Sequence, residues 1–433
     1  MQKWNTIILN HAKNGQGKQA LHFYHEMLHN GFMPDKGTYL SALKACSSIK
    51  NLTHGKMIHE HISKRKFDHD VVIGSSLVDM YVKCGRIDIA HSVFDKLEHR
   101  NVVSWSAMIL GYVNCGQGLV ALTLFEKMKE EGIRPDRVVY LCILKACCGL
   151  NVARYGRLIH NQIMMNSFES DVALGSSLVD FYAKCRSLEE AHNVFENLQA
   201  RNVVTWSSLI MGYTNHENDM MAFELFEKMQ MHGITPGRVA FLSILKVCGN
   251  MNAIRRGRLV HDHVVKGSLE TDLSLGSTLI DMYGKCGSIE GACSVFHYMH
   301  DHNTLSWNAL LIACAQCGQG VTALNIFQSV HREMALPDNA TFIGLLSACS
   351  HSGLVNEGEA YFESMREGYG FTPQIQHYTC MVDLFSQTGR FDKAMEVLNG
   401  MPPYYPLYNI TLCMQKPICY EERWTCCCTR MGT

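Results

Sequence analysis

Three short motifs contain residue types that could bind a metal ion or transfer protons. His25-Glu26-Met27-Leu28-His29 matches H-E-x-x-H, which on a helix can hold zinc with the glutamate as general base. His331-Arg332-Glu333 matches the H-x-E of a zinc deaminase, and the run Cys426 to Cys428 offers thiolate ligands. Each motif lacks its partners, because the first has no third ligand, the second has no P-C-x-x-C, and adjacent cysteines cannot all reach one tetrahedral ion. The sequence therefore predicts no metal, no cofactor and no catalysis.

The charge and hydropathy of the chain limit the classes of partner. The 433 residues include 39 basic and 40 acidic side chains, a net charge of -1, so charge alone does not indicate nucleic-acid binding. No apolar run approaches the roughly 20 residues of a membrane span, so we expect no membrane partner. Met1 leads directly into a helical pattern, which predicts no signal or transit peptide in this chain.

Tryptophan and cysteine recur with a fixed spacing of 101 residues. The series are Trp4, Trp105, Trp206 and Trp307, and Cys46, Cys147, Cys248 and Cys349. A residue that recurs once per period occupies one structural position in each unit. The cysteines are therefore predicted to be reduced, buried apolar residues, and the tryptophans to pack between helices rather than to stack on bases.

Each 101-residue period divides into a triplet of units with 35, 35 and 31 residues. In Val102–Asp136, Trp105, Met108 and Ile109 belong to one helical apolar stripe, and a second stripe follows the turn at Gly116. One helical pair cannot bury both stripes, so the units must stack into an α-solenoid. The predicted units are 1–35, 36–70, 71–101, 102–136, 137–171, 172–202, 203–237, 238–272, 273–303, 304–338, 339–374 and 375–402, followed by an irregular tail at 403–433.

The repeated segments are specific enough to suggest a family. ALTLFEKMKEEG and AFELFEKMQMHG resemble each other, as do SLVDMYVKCGRIDIAHSVFDKL and SLVDFYAKCRSLEEAHNVFENL. The alternating unit lengths and the closing Pro-Asp argue against tetratricopeptide repeats. Residues 1–402 resemble the pentatricopeptide repeat family of land plants, in its P-L-S subclass. The resemblance implies an all-α, right-handed α-solenoid of about twelve repeats that binds single-stranded RNA in mitochondria or chloroplasts, about one base per repeat.

The resemblance also implies which residues read the bases: the fifth residue of a unit together with its last. The pairs are Asn5 with Asp35, Ser75 with Asn101, Ser106 with Asp136, Ser176 with Asn202, Ser207 with Gly237, Ser277 with Asn303, and Asn308 with Asp338. In the family's code Asn/Asp indicates U, Ser/Asn indicates A and Ser/Asp indicates G, which gives U-N-A-G-N-A-N-N-A-U-N-N. Gly237 has no side chain, so the base opposite Ser207 is unassigned.

Apolar residues complete the implied interface. The family holds bases between apolar side chains at the second position of a unit, here Val72, Val103, Ala173 and Val204. The second unit of each triplet has an aliphatic fifth residue that cannot form a hydrogen bond, and we expect these units to read bases weakly. These fifth residues are Leu40, Leu141, Leu242 and Ile343.

Structural interpretations stand beside these assignments. Asp136 follows proline before a helix and would serve as an N-cap, and Ser106 would serve as a solvated residue of the first helical turn. At the level of function, we expect a non-enzymatic RNA-binding protein that directs RNA processing or cytidine-to-uridine editing. No deaminase domain is recognisable after Pro402, so a partner protein would supply the deaminase. The alternatives are a protein-binding helical scaffold and a truncated, non-functional product.

Overall fold

The computed structural model describes residues 2–67, 69–168, 170–269, 271–332 and 336–402. These residues form 24 α-helices and include no β-strand. Glu333 of the H-x-E motif, the run Cys426 to Cys428 and the tail predicted to be irregular lie outside the described residues.

The chain divides into two compact units, one ending at His216 and the other beginning at Glu217. The first contains α1 Gln2–Lys13, α2 Gly17–His29, α3 Lys36–Ile49, α4 Leu52–Lys64, α5 Val71–Lys83, α6 Ile87–Asp95, α7 Val102–Asn114, α8 Gly118–Glu130, α9 Arg137–Leu150, α10 Ala153–Met165, α11 Val172–Lys184, α12 Leu188–Asn197 and α13 Val203–Asn215. The second contains α14 Asp219–Met231, α15 Arg238–Asn250, α16 Ile254–Lys266, α17 Leu273–Lys285, α18 Ile289–Tyr298, α19 Thr304–Gln316, α20 Gly320–Arg332, α21 Asn339–Ser352, α22 Val355–Glu367, α23 Ile375–Gln387 and α24 Phe391–Asn399.

Helical pairs are closed by tight turns in which one residue adopts the left-handed conformation. Between α7 and α8 this residue is Gly116, with a φ of 73°. Glu217 has the same register one period later, and it keeps the left-handed conformation with a φ of 59°. For a residue with a Cβ, this backbone conformation costs roughly 1–2 kcal/mol. The loss of glycine in the Asn-His-Glu-Asn-Asp segment therefore does not abolish the turn.

Within each compact unit the helical pairs stack on one another and bury a core between them. In the first unit the odd-numbered helices pack successively from α1 to α13, and each of the helices α1 to α11 is covered by the following even-numbered helix. In the second unit α15, α17, α19, α21 and α23 pack successively in the same manner. Each odd-numbered helix from α3 to α23 starts at the first residue of a predicted repeat. The predicted all-α helical-repeat fold is confirmed.

The recurrent tryptophans and cysteines lie in this core. Trp105 and Trp206 are almost fully buried, and their rings meet Phe94 and Phe195 edge-on at centroid distances of 4.8 and 4.7 Å. Cys46, Cys147, Cys248 and Cys349 are fully buried, and burial raises the pKa of each thiol to about 12. They are therefore protonated at neutral pH and pack as small apolar residues, as their spacing predicts. None of the helices in the described part of the chain is long and apolar enough to cross a membrane.

Candidate nucleic-acid interface

The last residues of the predicted units are N-caps of the following helices. Asp35, Asn101, Asp136, Asn202, Asn303 and Asp338 each accept the backbone N–H three residues further on. The Asp136 carboxylate, for example, accepts the N–H of Val139 at 2.9 Å. The predicted capping role of Asp136 is thereby confirmed, and it is compatible with a second role because a carboxylate has further lone pairs. Gly237 precedes α15 without a side-chain cap.

The fifth residues lie in the first turn of the odd-numbered helices and are mostly buried. Among the serines, Ser75 is 2% exposed and Ser106 is 9% exposed. Each serine hydroxyl lies 2.6 to 2.8 Å from the backbone carbonyl four residues earlier, as seen for Ser75, Ser106, Ser176, Ser207 and Ser277. The interpretation of Ser106 as a solvated side chain is therefore wrong. A hydroxyl has a single proton, so a serine that also lies near a second acceptor shares this proton between its own helix and that acceptor.

Four of the predicted pairs are joined by direct hydrogen bonds. The Asn5 amide donates to Asp35 at 2.5 Å, and the Asn308 amide donates to Asp338 at 3.0 Å. Ser75 Oγ lies 3.1 Å from Asn101 Oδ1, and Ser176 Oγ lies 3.4 Å from Asn202 Oδ1. The fifth and last residues thus meet across the junction between successive units.

Two further pairs are not joined in this way. Within the described ranges, no hydrogen bond connects Ser106 with Asp136 or Ser277 with Asn303. Both serines keep the contact with their own helix, at 2.6 Å from the Val102 carbonyl and 2.8 Å from the Leu273 carbonyl. Ser75 and Ser176 make the same contact, so it does not distinguish the joined pairs from the others.

A hydroxyl residue that the sequence analysis missed orients both asparagine pairs. Thr38 and Thr341, each the third residue of the following unit, donate from their hydroxyls to the side-chain oxygens of Asn5 and Asn308. The Thr341–Asn308 distance is 2.7 Å. The signal in the sequence is the threonine three residues after each aspartate, which forms a capping box at these two helices. With the amide oxygen held by threonine and one N–H held by aspartate, each asparagine keeps one N–H and one lone pair for a ligand.

Hydrogen bonds keep the last-residue carboxylates ionised. Burial acts to raise the pKa of Asp35 and of Asp338, but hydrogen bonds from the backbone N–H of the threonine and from the asparagine amide lower the pKa overall. Both groups are therefore acceptors only at neutral pH.

Exposed apolar residues accompany these polar pairs. Val72, Val103 and Val204 are 46%, 55% and 56% exposed, whereas Ala173 is half-buried. Three further second-position residues, which were not predicted to belong to the interface, are also exposed: Val138, Val239 and Leu305. The second and fifth residues of a unit are separated by three positions, so they share one face of their helix.

Models of repeat families and sequences of related proteins match this chain along most of its length. The PPR repeat family matches residues 3–48 and 100–149, and the pentatricopeptide repeat domain matches residues 193–251. The PPR repeat matches 75–102, 176–203, 277–304, 305–333, 340–368 and 377–402. A mitochondrial pentatricopeptide repeat-containing protein of Arabidopsis thaliana is 34% identical over 92% of this chain and 72% of its own length. The chain belongs to the pentatricopeptide repeat family.

Other pentatricopeptide repeat proteins extend the comparison. A chloroplastic one from Arabidopsis thaliana is 39% identical over 92% of this chain, which spans 58% of that relative's length. Among solved structures, the pentatricopeptide repeat protein PPR10 in complex with an 18-nucleotide psaJ RNA element has a TM-score of 0.65. The sequence identity is 17%, and the match covers 92% of this chain and 64% of PPR10. The likeness shows that the two proteins share a fold.

The two histidines of the H-E-x-x-H motif lie in different surroundings on α2. His25 is half-buried on α2 and packs against His54 with 5.1 Å between ring centroids, whereas His29 is exposed. Among the described residues, no three His, Cys, Asp or Glu side chains are grouped so that they could hold a metal ion.

Proposed function

We propose that this protein binds single-stranded RNA in a sequence-specific manner, with about one base per repeat. The observation that carries the proposal is the recurrent contact between the fifth residue of one unit and the last, helix-capping residue. The Asn308–Asp338 contact, at 3.0 Å, is the clearest example. Polar groups held in this way next to exposed apolar side chains offer hydrogen bonds to a base edge and contact to a base face.

The chemistry of each pair explains a base preference. An asparagine held by Asp338 and Thr341 presents one donor and one acceptor together, which suits a uracil edge. Serine is shorter and leaves room for a purine, and its neighbouring Asp or Asn differs by being acceptor-only or mixed. Under this proposal the units are aligned with the bases U-N-A-G-N-A-N-N-A-U-N-N.

We further propose that binding directs RNA processing or cytidine-to-uridine editing in a mitochondrion or chloroplast. The organellar names of the relatives support this location. In this proposal the chain itself does no chemistry, and a partner protein supplies the deaminase. The predicted repeat boundaries define the register in which RNA is read.

Substitution at one fifth position tests the proposal. Ser106→Asn is expected to move the preference at the fourth base from G to U by about tenfold, the equivalent of roughly 1.4 kcal/mol. The preference at the other positions should stay the same. The measurement is a titration at fixed salt with RNAs that carry each of the four bases at that position, because RNA affinity depends on salt.

Ser76→Asn is the matched control, because Ser76 has the same bond to its helix but stands at the sixth position. It should leave every preference unchanged. Equal affinity for matched and scrambled RNAs would contradict RNA reading and favour a protein-binding scaffold. Uniform weakening by Ser106→Asn would make Ser106 a structural residue.

A further inference from the structure

The second unit of each of the first three triplets begins with a basic residue and ends with aspartate. In each unit the basic side chain forms an ion pair with the aspartate about 34 positions later in the same unit. The pairs are Lys36 with Asp70 at 2.6 Å, Arg137 with Asp171 at 2.8 Å, and Arg238 with Asp272 at 2.6 Å. The recurrence at one register shows that the ion pair belongs to this kind of unit.

The ion pair occupies the side of the carboxylate that helix capping leaves open. Oδ1 of Asp171 accepts the backbone N–H groups of Ala173 and Leu174 at 3.0 and 2.9 Å. Oδ2 of Asp171 faces Nε of Arg137. Both oxygens therefore have protein partners, and the same arrangement occurs at Asp70 and Asp272.

In the first unit of a 101-residue period, the aspartate at the last position has a different partner. Asp35 and Asp338 receive the amide of the fifth-residue asparagine. In the part of the chain that the structure describes, no basic side chain forms an ion pair with Asp35, Asp136 or Asp338. No predicted unit therefore combines a basic first residue with a polar fifth residue. The units that begin with a basic residue have leucine at the fifth position: Lys36 with Leu40, Arg137 with Leu141, and Arg238 with Leu242.

We propose that Lys36, Arg137 and Arg238 are specificity-determining residues that withhold the last aspartate of their units from RNA bases. The inference rests on the proposed base-reading function. In these units the leucine at the fifth position cannot form a hydrogen bond with a base. The basic first residue forms an ion pair with the aspartate at the last position. The array then discriminates bases with the first and third units of a triplet, and the second unit spaces them without discriminating.

The unit 137–171 provides the test. Leu141→Ser restores a polar fifth residue but leaves Asp171 paired with Arg137. Leu141→Ser combined with Arg137→Val also frees the aspartate, since valine is the first residue of the neighbouring unit 102–136. The full chain is titrated with four RNAs that differ only at the fifth base. We expect less than twofold discrimination for Leu141→Ser and about tenfold preference for G in the double variant.

Two controls make the outcome decisive. Leu141→Ser with Arg134→Val removes an equal charge from an exposed residue outside the pair and should not discriminate. Thermal melting of each variant establishes that the fold is retained. Equal discrimination by Leu141→Ser alone and by the double variant would overturn the inference. So would a uniform loss of affinity in Arg137→Val, which would mean that Arg137 contacts the RNA backbone instead.

The response of Ser106→Asn separates failure of the inference from failure of the proposed function. If Ser106→Asn changes the fourth-base preference but the double variant gains none, the array reads bases and the ion pair does not control reading. If neither variant changes a preference, base reading itself fails and the inference fails with it.

Discussion

At the scale of single residues, one side chain caps a helix and is proposed to read a base as well. Asp136 accepts the Val139 N–H and so starts α9, yet it stands at the register that pairs with the fifth residue in neighbouring repeats. Capping needs one side-chain oxygen, whereas the proposed recognition depends on whether the rest of the side chain donates a hydrogen bond or only accepts one. The two roles are therefore separable by choosing the substitution.

Asp136→Asn and Asp136→Ala should separate these roles. Asparagine caps helices about as well as aspartate, so local stability should stay within about 0.5 kcal/mol while the fourth-base preference moves from G towards A. Alanine should cost about 1 kcal/mol through the lost cap. Hydrogen exchange of the α9 amides measures stability, and RNA titration measures preference. If Asp136→Asn left the preference at the fourth base unchanged, Asp136 would act only as a helix cap.

At the scale of elements, glycine permits a close approach between helices of adjacent units. A Cβ at Gly156 of α10 would lie 1.9 Å from Cζ of Phe181 on α11. Gly55 and Gly257 hold the same register, and there a Cβ would meet the side chains of Met80 and Met282. The buried aromatic ring cannot retreat as readily as a flexible methionine side chain.

Gly156→Ala should therefore destabilise the chain, by about 1–3 kcal/mol for an overpacked contact. Gly149→Ala is the matched control, because a Cβ at this exposed helical position meets nothing within 4 Å. It should be neutral or stabilising by up to about 1 kcal/mol through better helix propensity. Urea denaturation followed by circular dichroism compares them, and equal effects of both substitutions would contradict the packing explanation.

Histidine–tyrosine contacts join the same elements and introduce a pH dependence. His160 Nδ1 lies 3.0 Å from the Tyr182 hydroxyl, and His261 Nδ1 lies 3.0 Å from that of Tyr283. Burial lowers the pKa of both histidines. Since the folded pKa is below the unfolded value of about 6.5, the unfolded chain binds more protons between the two values. The associated stability is complete above about pH 6.5 and is lost as pH falls through the folded pKa.

We therefore expect the melting temperature to fall between pH 7.5 and pH 5, and His160→Phe with His261→Phe to reduce that fall. His232→Phe, which replaces an exposed histidine, is the control for the loss of a histidine as such. A pH profile that is identical in the double variant and in the unmodified protein would show that these two histidines do not contribute.

At the scale of the whole molecule, stability is distributed along the repeats. The chain divides into two compact units, one ending at His216 and the other beginning at Glu217, and within each unit the helical pairs contact their neighbours in sequence. A repeat array has a stability that is approximately a sum of repeat and neighbour terms. A substitution that destabilises one junction between units should therefore lower the stability of the helices near that junction.

Hydrogen exchange across Gly156→Ala tests this locality. Exchange should rise in α9 to α12, which surround the altered contact, while α19 to α24 keep the protection of the unmodified protein. The Gly149→Ala protein serves as the reference for a tolerated substitution. A uniform rise across both compact units would indicate one cooperative structure instead.

The sequence by itself determined the features that depend on local order and periodicity. The 101-residue spacing indicated the stacked helical pairs, the buried tryptophans and the buried cysteines, and Pro-Asp before a helix indicated the cap at Asp136. These properties follow from helical geometry and from the chemistry of single residues.

Only the tertiary structure decided which side chains meet across successive units. It placed Thr341 on Asn308, turned Ser106 into its own helix, and paired Arg137 with Asp171. Residues about 30 positions apart come together because one helical pair stacks on the next, and periodicity gives their register without the direction of their side chains. Rotamers and competing hydrogen-bond partners set that direction, and they exist only once the neighbouring unit is in place.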